Sequence, residues 1–307
     1  MKPLKIIFMG SPDFAVPSLE RLFESDHVIE AVISGPDKRR GRRSKPEPTA
    51  VKKCALELGL PTIDVDDVKS KESEEILRKL NADLFVVVAF KVLPEVLLEL
   101  PGKGAINLHA SLLPKYRGAA PIHWAVINGE EETGCTVFFL EKSVDTGNVI
   151  DQVKTPIKPN ETTGDVYNRL QVIGAELLVE CVNQIANNSI TLSAQDDAEA
   201  TPAPKLFKKN TKLNFGDHAQ NIHNKIRGLN PFPTAWCMYD DEKMNVYQSE
   251  VGPEKSLNPG ELVWFEDKLL VGCGTGTVQL KSVQLPGTKR LAGKEFANGY
   301  DLTKQID

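Results

Sequence analysis

The chain has 307 residues, 41% of them hydrophobic and 26% charged, with a formal net charge of −5. That composition excludes wholesale disorder, and the length suggests two domains or one large domain with a smaller appendage. With an acidic balance, nucleic acid can be a partner only through a local basic cluster.

The apolar run at residues 4–9, interrupted by Lys5, is too short for a signal-peptide core, and no small-residue cleavage site follows it. It reads as a first buried strand. No run of about 18 apolar residues occurs, which excludes a membrane-spanning helix and leaves no membrane partner expected. Cys54, Cys135, Cys181, Cys237 and Cys273 are scattered, without CxxC or Cys/His ligand spacing. Neither disulfides nor a metal site is therefore expected, and a reducing cytoplasm fits.

Strand and helix signals then alternate. Residues 17–24 predict a helix with Pro17 at its start, 28–34 (VIEAVIS) a strand, and 50–58 and 72–80 helices. Residues 84–90 (LFVVVAF) are almost continuously apolar, as in a parallel strand covered on both faces. Residues 104–109 and 135–140 are further strands. A long helix follows at about 164–187, its apolar face marked by Val166, Leu170, Ile173, Leu177, Cys181 and Ile185; Thr162 or Thr163 is its candidate N-cap, with Asp165 in the first turn. This pattern predicts an α/β, Rossmann-like, mostly parallel sheet with helices on both faces.

The character changes at 195–210, a polar stretch with two prolines that reads as an extended surface linker. Beyond it come a short helix, about 217–228, and five short strands between 235 and 283, a pattern that suggests a small OB-like β-barrel. The expected organisation is a catalytic domain at 1–190, a linker at 191–209 and a C-terminal domain at 210–307.

The chemistry concentrates in 107–118 (NLHASLLPKYRG). Asn107 and His109 are two apart on a strand, so their side chains share a face, at the strand end where open α/β sheets build their sites. An amide can donate to a developing oxyanion, and an imidazole can exchange a proton near neutral pH. By itself Asn-x-His is a weak signal that a strand-end histidine beside a turn asparagine would also give. Asp145, in SVDTG after the next strand, reads equally as a turn former or as an orienting partner of His109.

The segment 107–150, NLHASLLPKYRGAAPIHWAVINGEEETGCTVFFLEKSVDTGNVI, resembles the signature region of the 10-formyltetrahydrofolate-dependent formyltransferases. The resemblance implies that Asn107, His109 and Asp145 are catalytic, and that Ser111, Leu112, Leu113 and Pro114 belong to the folate site. MGSPDFAVPSL (9–19), APKLFKKNTKLNF (203–215) and RGLNPFPTAW (227–236) are similar to the members that formylate methionyl-initiator tRNA. The implied fold is a Rossmann-like domain, a linker and an OB-type barrel. The implied reaction moves a formyl group from 10-formyltetrahydrofolate to the methionyl α-amine, without a metal. Where the family usually has Tyr-Gly, this chain has Phe90-Lys91.

Six of the eight residues in 38–45 (KRRGRRSK) are basic: Lys38, Arg39, Arg40, Arg42, Arg43 and Lys45. The bland reading is a solvated loop. In the family an insertion here wedges into the tRNA acceptor end, so the resemblance implies a tRNA-binding loop, with Arg42 as the match to its important arginine. Lys208, Lys209 and Lys212 are further candidates for RNA contact or for solvation. The GSPDFA turn lacks GxGxxG, which argues against a dinucleotide site. His123 reads as a packing or surface residue rather than an acid–base group, and His218 and His223 are too poorly spaced to share a metal.

The residues leave two rival readings. One is a formyltransferase acting on a sugar-nucleotide amine, for which the basic loop is superfluous. The other is a non-catalytic RNA-binding protein on the same scaffold, for which Asn107, His109 and Asp145 are superfluous. A monomer is expected.

Overall fold

The computed structural model describes residues 2–39 and 45–307. The first sheet orders its strands β5-β2-β1-β6-β7-β8-β9. Here β1 is Lys5–Gly10, β2 Val28–Ser34, β5 Thr62–Asp64, β6 Leu84–Val88, β7 Ala105–His109, β8 Glu132–Phe139 and β9 Val149–Pro156. A two-residue pair, β3 (Lys38–Arg39) with β4 (Pro46–Glu47), stands apart as a small hairpin. Strands β5, β2, β1, β6 and β7 pair in parallel, and β8 runs antiparallel to β7.

The apolar pattern explains the layers. Alternate residues of β1 and β6 (Ile7, Met9, Phe85, Val87) pack on one face with Leu77 of α3 (Lys71–Leu80) and Leu97 of α4 (Glu95–Leu98). On the opposite side, α2 (Ala50–Glu57) packs against α1 (Val16–Phe23) and β2. The long helix α6 (Thr163–Ala186) approaches β7 and β8 through Gly174, where an added Cβ would meet Cys135 Sγ at 3.0 Å and Leu108 Cδ2 at 3.1 Å. Its start is closed by a reciprocal pair: Asp165 N–H donates to Thr162 Oγ1 (3.2 Å), and Thr162 N–H to Asp165 Oδ2 (2.9 Å).

The chain forms two compact units, one built from 1–118, 134–155 and 167–202, the other from 119–133, 156–166 and 203–307. The second contains α5 (Pro121–Ile127) and α7 (Ala219–Gly228). It also holds an antiparallel sheet ordered β10-β11-β14-β13-β12, with β15 (Leu291–Ala292) beside β14. These strands are β10 Ala235–Tyr239, β11 Glu242–Val251, β12 Leu262–Phe265, β13 Lys268–Gly272 and β14 Thr277–Gln284; α8 (Gly293–Gly299) follows. Ile222, Ile226, Val246, Val271, Leu280 and Phe296 are part of its core.

Several expectations needed correction. Strands β5 and β9 carried no clear signal, because β5 has three residues and β9 (VIDQVKTP) interleaves polar residues without strict alternation. The strand expected at 135–140 begins at Glu132, and α7 begins at Ala219 because His218 caps it. The 195–210 stretch lies largely on the surface, with most of its residues exposed, and it is tied down at particular points. Ala203 is fully buried, Arg117 N–H donates to Thr201 O (2.9 Å), and Ala120 N–H donates to Ala203 O (3.1 Å).

Candidate active site

Pairing of Val88 with Leu108 brings the carboxyl ends of β6 and β7 to one edge. Asn107 and His109 lie on the same face of β7, as their spacing requires. Because β8 is antiparallel to β7, its last residue, Phe139, pairs with Ile106, at the opposite end of β7 from His109. The Asp145 loop therefore starts far from the imidazole and must return along the Asn107 face. It does so as a closed excursion: Phe139 N–H donates to Asn148 O at 3.0 Å. Gly147 makes the return possible, since a Cβ there would stand 1.8 Å from Phe139 O. The cleft so formed is walled by Val87, Leu93, Leu98 and Leu140, with Asn107 and Asp145 among its polar lining beside Lys91, Glu141 and Ser143.

His109 is 6% exposed. Its Nε2 lies 2.9 Å from Tyr116 O, and a carbonyl only accepts, so Nε2 carries a proton and donates. Nδ1 then faces Asp145 Oδ2 at 3.8 Å, beyond a hydrogen bond but within ion-pair range once Nδ1 is protonated. Asp145 Oδ2 accepts Gly118 N–H at 2.9 Å. Both partners sit on strained backbone. Asp145 has φ +57° and Tyr116 φ +64°, and Ala89, just past β6, has φ +48°.

Hydrogen bonds hold that strain in place. Tyr116 N–H donates to Thr201 Oγ1 at 2.9 Å. Gln195 Nε2 donates to Asp145 O (3.0 Å) and Gly147 O (2.8 Å), while its Oε1 accepts from Arg117 Nε and Nη2 at 3.1 and 2.8 Å. Arg117 is fixed in turn by Asp197 at 2.8 Å. Arg117 lies in the 107–118 segment but carried no role there, and nothing in the sequence pointed to Gln195 as its partner, 78 residues away.

Ser111 to Pro114 form a braced turn. Ser111 Oγ donates to Lys115 O (2.7 Å), Thr136 Oγ1 donates to Ser111 O (2.7 Å), and Leu113 N–H donates to Thr136 Oγ1 (3.1 Å). Gln152 Nε2 donates to Leu113 O at 2.8 Å. The Ser111 hydroxyl is thus committed within its own turn. Lys91 lines the cleft, and its ammonium donates to Val65 O (3.1 Å) and to Asp66 O. The Phe90-Lys91 departure thereby ties the cleft wall to the segment after β5.

Of the basic loop, Lys38, Arg39 and Lys45 are exposed, and Arg40, Arg42 and Arg43 lie outside the described residues. Its base is fastened by Lys52, whose ammonium donates to Asp37 (2.7 Å) and Asp64 (2.8 Å). Those hydrogen bonds, with Asp37 first, hold the Lys52 ammonium above the usual lysine range. In the second unit the Lys208, Lys212 and Lys243 ammoniums stand 5.9, 5.8 and 5.5 Å from the Trp236 ring centre. His123 packs as expected, with Nε2 donating to Phe232 O at 3.0 Å.

Residues 4–182 match the formyl transferase family model, and 205–301 match the model of the formyl transferase C-terminal domain. The methionyl-tRNA formyltransferase of Chlorobium phaeovibrioides is 42% identical over 306 residues, covering 97% of this chain and 96% of the relative. That of Moorella thermoacetica is 43% identical over 302 residues, covering 97% of each. Among solved structures, the sugar 3N-formyl transferase WlaRD, crystallised with dTDP and 5-N-formyl-THF, aligns with a TM-score of 0.69 at 20% identity, over 94% of this chain and 100% of that one. The N-formyltransferase from Helicobacter canadensis, complexed with folinic acid and dTDP-3-aminofucose, gives 0.69 at 22% identity, over 90% and 98%. These two share the fold, whereas the identity to the first two runs the length of both chains. The chain belongs to the methionyl-tRNA formyltransferase family.

Proposed function

We propose that the protein transfers the formyl group of 10-formyltetrahydrofolate to the α-amino group of methionine carried by initiator tRNA. The observation that supports the reading is that Asn107 and Asp145 line one cleft while His109 Nδ1 stands 3.8 Å from the Asp145 carboxylate, in a chain that matches the family over nearly its whole length. The cleft suits a folate head: Val87, Leu93, Leu98 and Leu140 would cover a flat heterocycle, and Asn107, Ser143, Glu141 and Asp145 would meet its polar groups. The folate co-substrate supplies the activated formyl group.

In this scheme the Asn107 amide donates to the oxygen on which charge develops as the amine attacks. His109, released from Tyr116 O or protonated on Nδ1, shuttles the amine proton toward the leaving nitrogen. Asp145 supports the charged imidazole and, through Gly118, fixes the loop that closes the site. The turn of Ser111, Leu112, Leu113 and Pro114 bounds the folate site with its backbone. Lys38, Arg39, Arg40, Arg42, Arg43 and Lys45 hold the acceptor end of the tRNA by its phosphates.

The test is formyl transfer from 10-formyltetrahydrofolate to charged initiator tRNA, with uncharged initiator tRNA, elongator methionyl-tRNA and a dTDP-amino sugar as alternatives. Selective formylation of the charged initiator is expected, falling by roughly two or more orders of magnitude in Asn107→Ala. Transfer to the amino sugar alone would overturn the reading in favour of a sugar-nucleotide enzyme.

A further inference from the structure

The second unit carries a polar cleft that the proposed reaction does not use. Helix α7 sends Ile222 and Ile226 into its core, yet it also buries His223, Asn224 and Arg227, which are 2%, 5% and 6% exposed. A buried guanidinium is costly unless its N–H groups and charge are met. Arg227 Nε donates to Asn224 Oδ1 (2.9 Å) and Nη1 to Glu161 O (3.1 Å). Among the described residues no carboxylate comes within ion-pair distance of Arg227, and no acceptor meets Nη2. The Glu161 carboxylate acts on it only at longer range.

The side chain is not sealed in. Arg227 lines an open cleft together with His223, Ser249 and Lys281, with Asn160 and Gln248 at the rim. His223 adds no charge there. Burial holds its imidazole below the ordinary histidine range, and in the neutral form Nε2 donates to Pro159 O (3.3 Å) while Nδ1 accepts the Ser249 hydroxyl proton (3.0 Å). The cleft's own carboxylate, Glu250, is paired with Lys281. Arg227 is thus left as a positive, oriented group with no carboxylate in ion-pair range among the described residues, beside the exposed amides of Asn160 and Gln248.

We propose that this cleft is a phosphate-binding site, in which Arg227, Lys281 and the Asn160 amide receive the oxygens of a phosphate or phosphate ester. A guanidinium held in place by two hydrogen bonds, with an exposed amide and an ammonium beside it, matches an oxyanion with several acceptor oxygens. The phosphate can come from an RNA backbone or from a free small anion, which share this chemistry. The site is separate from the cleft at Asn107 and does not depend on the formyl-transfer reading.

The test uses the full chain titrated with inorganic phosphate, with ionic strength held constant by chloride. Wild type, Arg227→Gln, Lys281→Gln and Asn160→Ala are compared by calorimetry and thermal unfolding. Saturable binding and a phosphate-dependent rise in Tm are expected in the wild type, with affinity about tenfold or more weaker in the variants. Lys281 and Asn160 are exposed, so their variants keep the test open if Arg227→Gln fails to fold. The same proteins are assayed for the KM of methionyl-initiator tRNA against salt. A raised KM with a log–log salt slope smaller by about 0.7–0.9 per phosphate left unneutralised identifies an RNA phosphate. Unchanged tRNA kinetics with abolished phosphate binding identify a free anion. If the variants alter neither phosphate binding nor the tRNA KM, the proposal is overturned and Arg227 is a brace for the Glu161 backbone. A chain that formylates no tRNA but still binds phosphate through Arg227 defeats the reaction assigned above and leaves this site standing.

Discussion

Asp145 faces His109 without hydrogen-bonding to it: Oδ2 stands 3.8 Å from Nδ1. The imidazole is oriented from its other side, by Tyr116 O at 2.9 Å. The carboxylate instead makes its short hydrogen bond to Gly118 N–H. This division of labour separates the electrostatic role of Asp145 from its structural one, and substitution can tell them apart.

Asp145→Asn keeps an oxygen for Gly118 N–H but loses the charge that faces Nδ1. Folding is expected to be near wild type and kcat to fall by roughly two or more orders of magnitude, similar to His109→Ala. Turnover within a few-fold of wild type, with Tm unchanged, would remove Asp145 from the mechanism.

Gln195 positions Asp145 through two backbone carbonyls, so it acts on the reaction at one remove. Gln195→Ala frees the loop and leaves Arg117 held by Asp197 without the Gln195 oxygen. A displacement of about 1 Å at the site can cost about a hundredfold, so kcat is expected to drop by about 10–100-fold with the KM for tRNA unchanged. A purely structural role would lower Tm and leave kcat alone.

Gly147 has no room for a side chain, because the loop folds back on Phe139 O. Gly147→Ala must displace backbone rather than a flexible side chain, at an expected cost of about 2 kcal/mol or more. Urea unfolding measures that destabilisation. Activity should fall further than stability does, since Asp145 rides on the same loop.

Changing Arg39, Arg40, Arg42 and Arg43 to Ala leaves the cleft residues untouched. Folate binding is expected to survive while kcat/KM for methionyl-tRNA falls by orders of magnitude. The salt slope should flatten by about 0.7–0.9 for each phosphate that the loop no longer neutralises. A rate and slope equal to wild type would make the loop a solubility element and return weight to a sugar-nucleotide substrate.

The second unit should be acid-sensitive. Burial holds the imidazoles of His123 and His223 below the ordinary histidine range. Their unfolded counterparts take up protons first, as pH falls below about 6.5. This contribution to stability is therefore present above that pH and is lost as pH falls through it toward the folded values. Tm is expected to decline between about pH 7 and pH 5.5, and less steeply in His223→Gln. Equal slopes would mean that carboxylates, not His223, carry the decline.

Features that depend on local period and residue type were legible in the chain itself. The two-residue repeat of a strand put Asn107 and His109 on one face, and continuous apolar runs marked β1 and β6 as buried. Thr162 or Thr163 ahead of Asp165 marked the start of α6, and the structure shows Thr162 paired with Asp165. The route by which Asp145 reaches His109 was fixed instead by long-range pairing. The direction of β8 is not written in CTVFFL, and only its antiparallel pairing shows that the loop must travel back along the sheet. Gln195, Arg117 and the Tyr116 carbonyl were illegible for the same reason. Hydrogen bonds between residues about 80 positions apart, or to a backbone oxygen, leave no periodic trace in the chain. Arg227 shows the limit from the other side: on an amphipathic helix it reads as a solvent-facing charge, and only the packing around it reveals that it is buried, with its Nη2 amino group meeting no acceptor among the described residues.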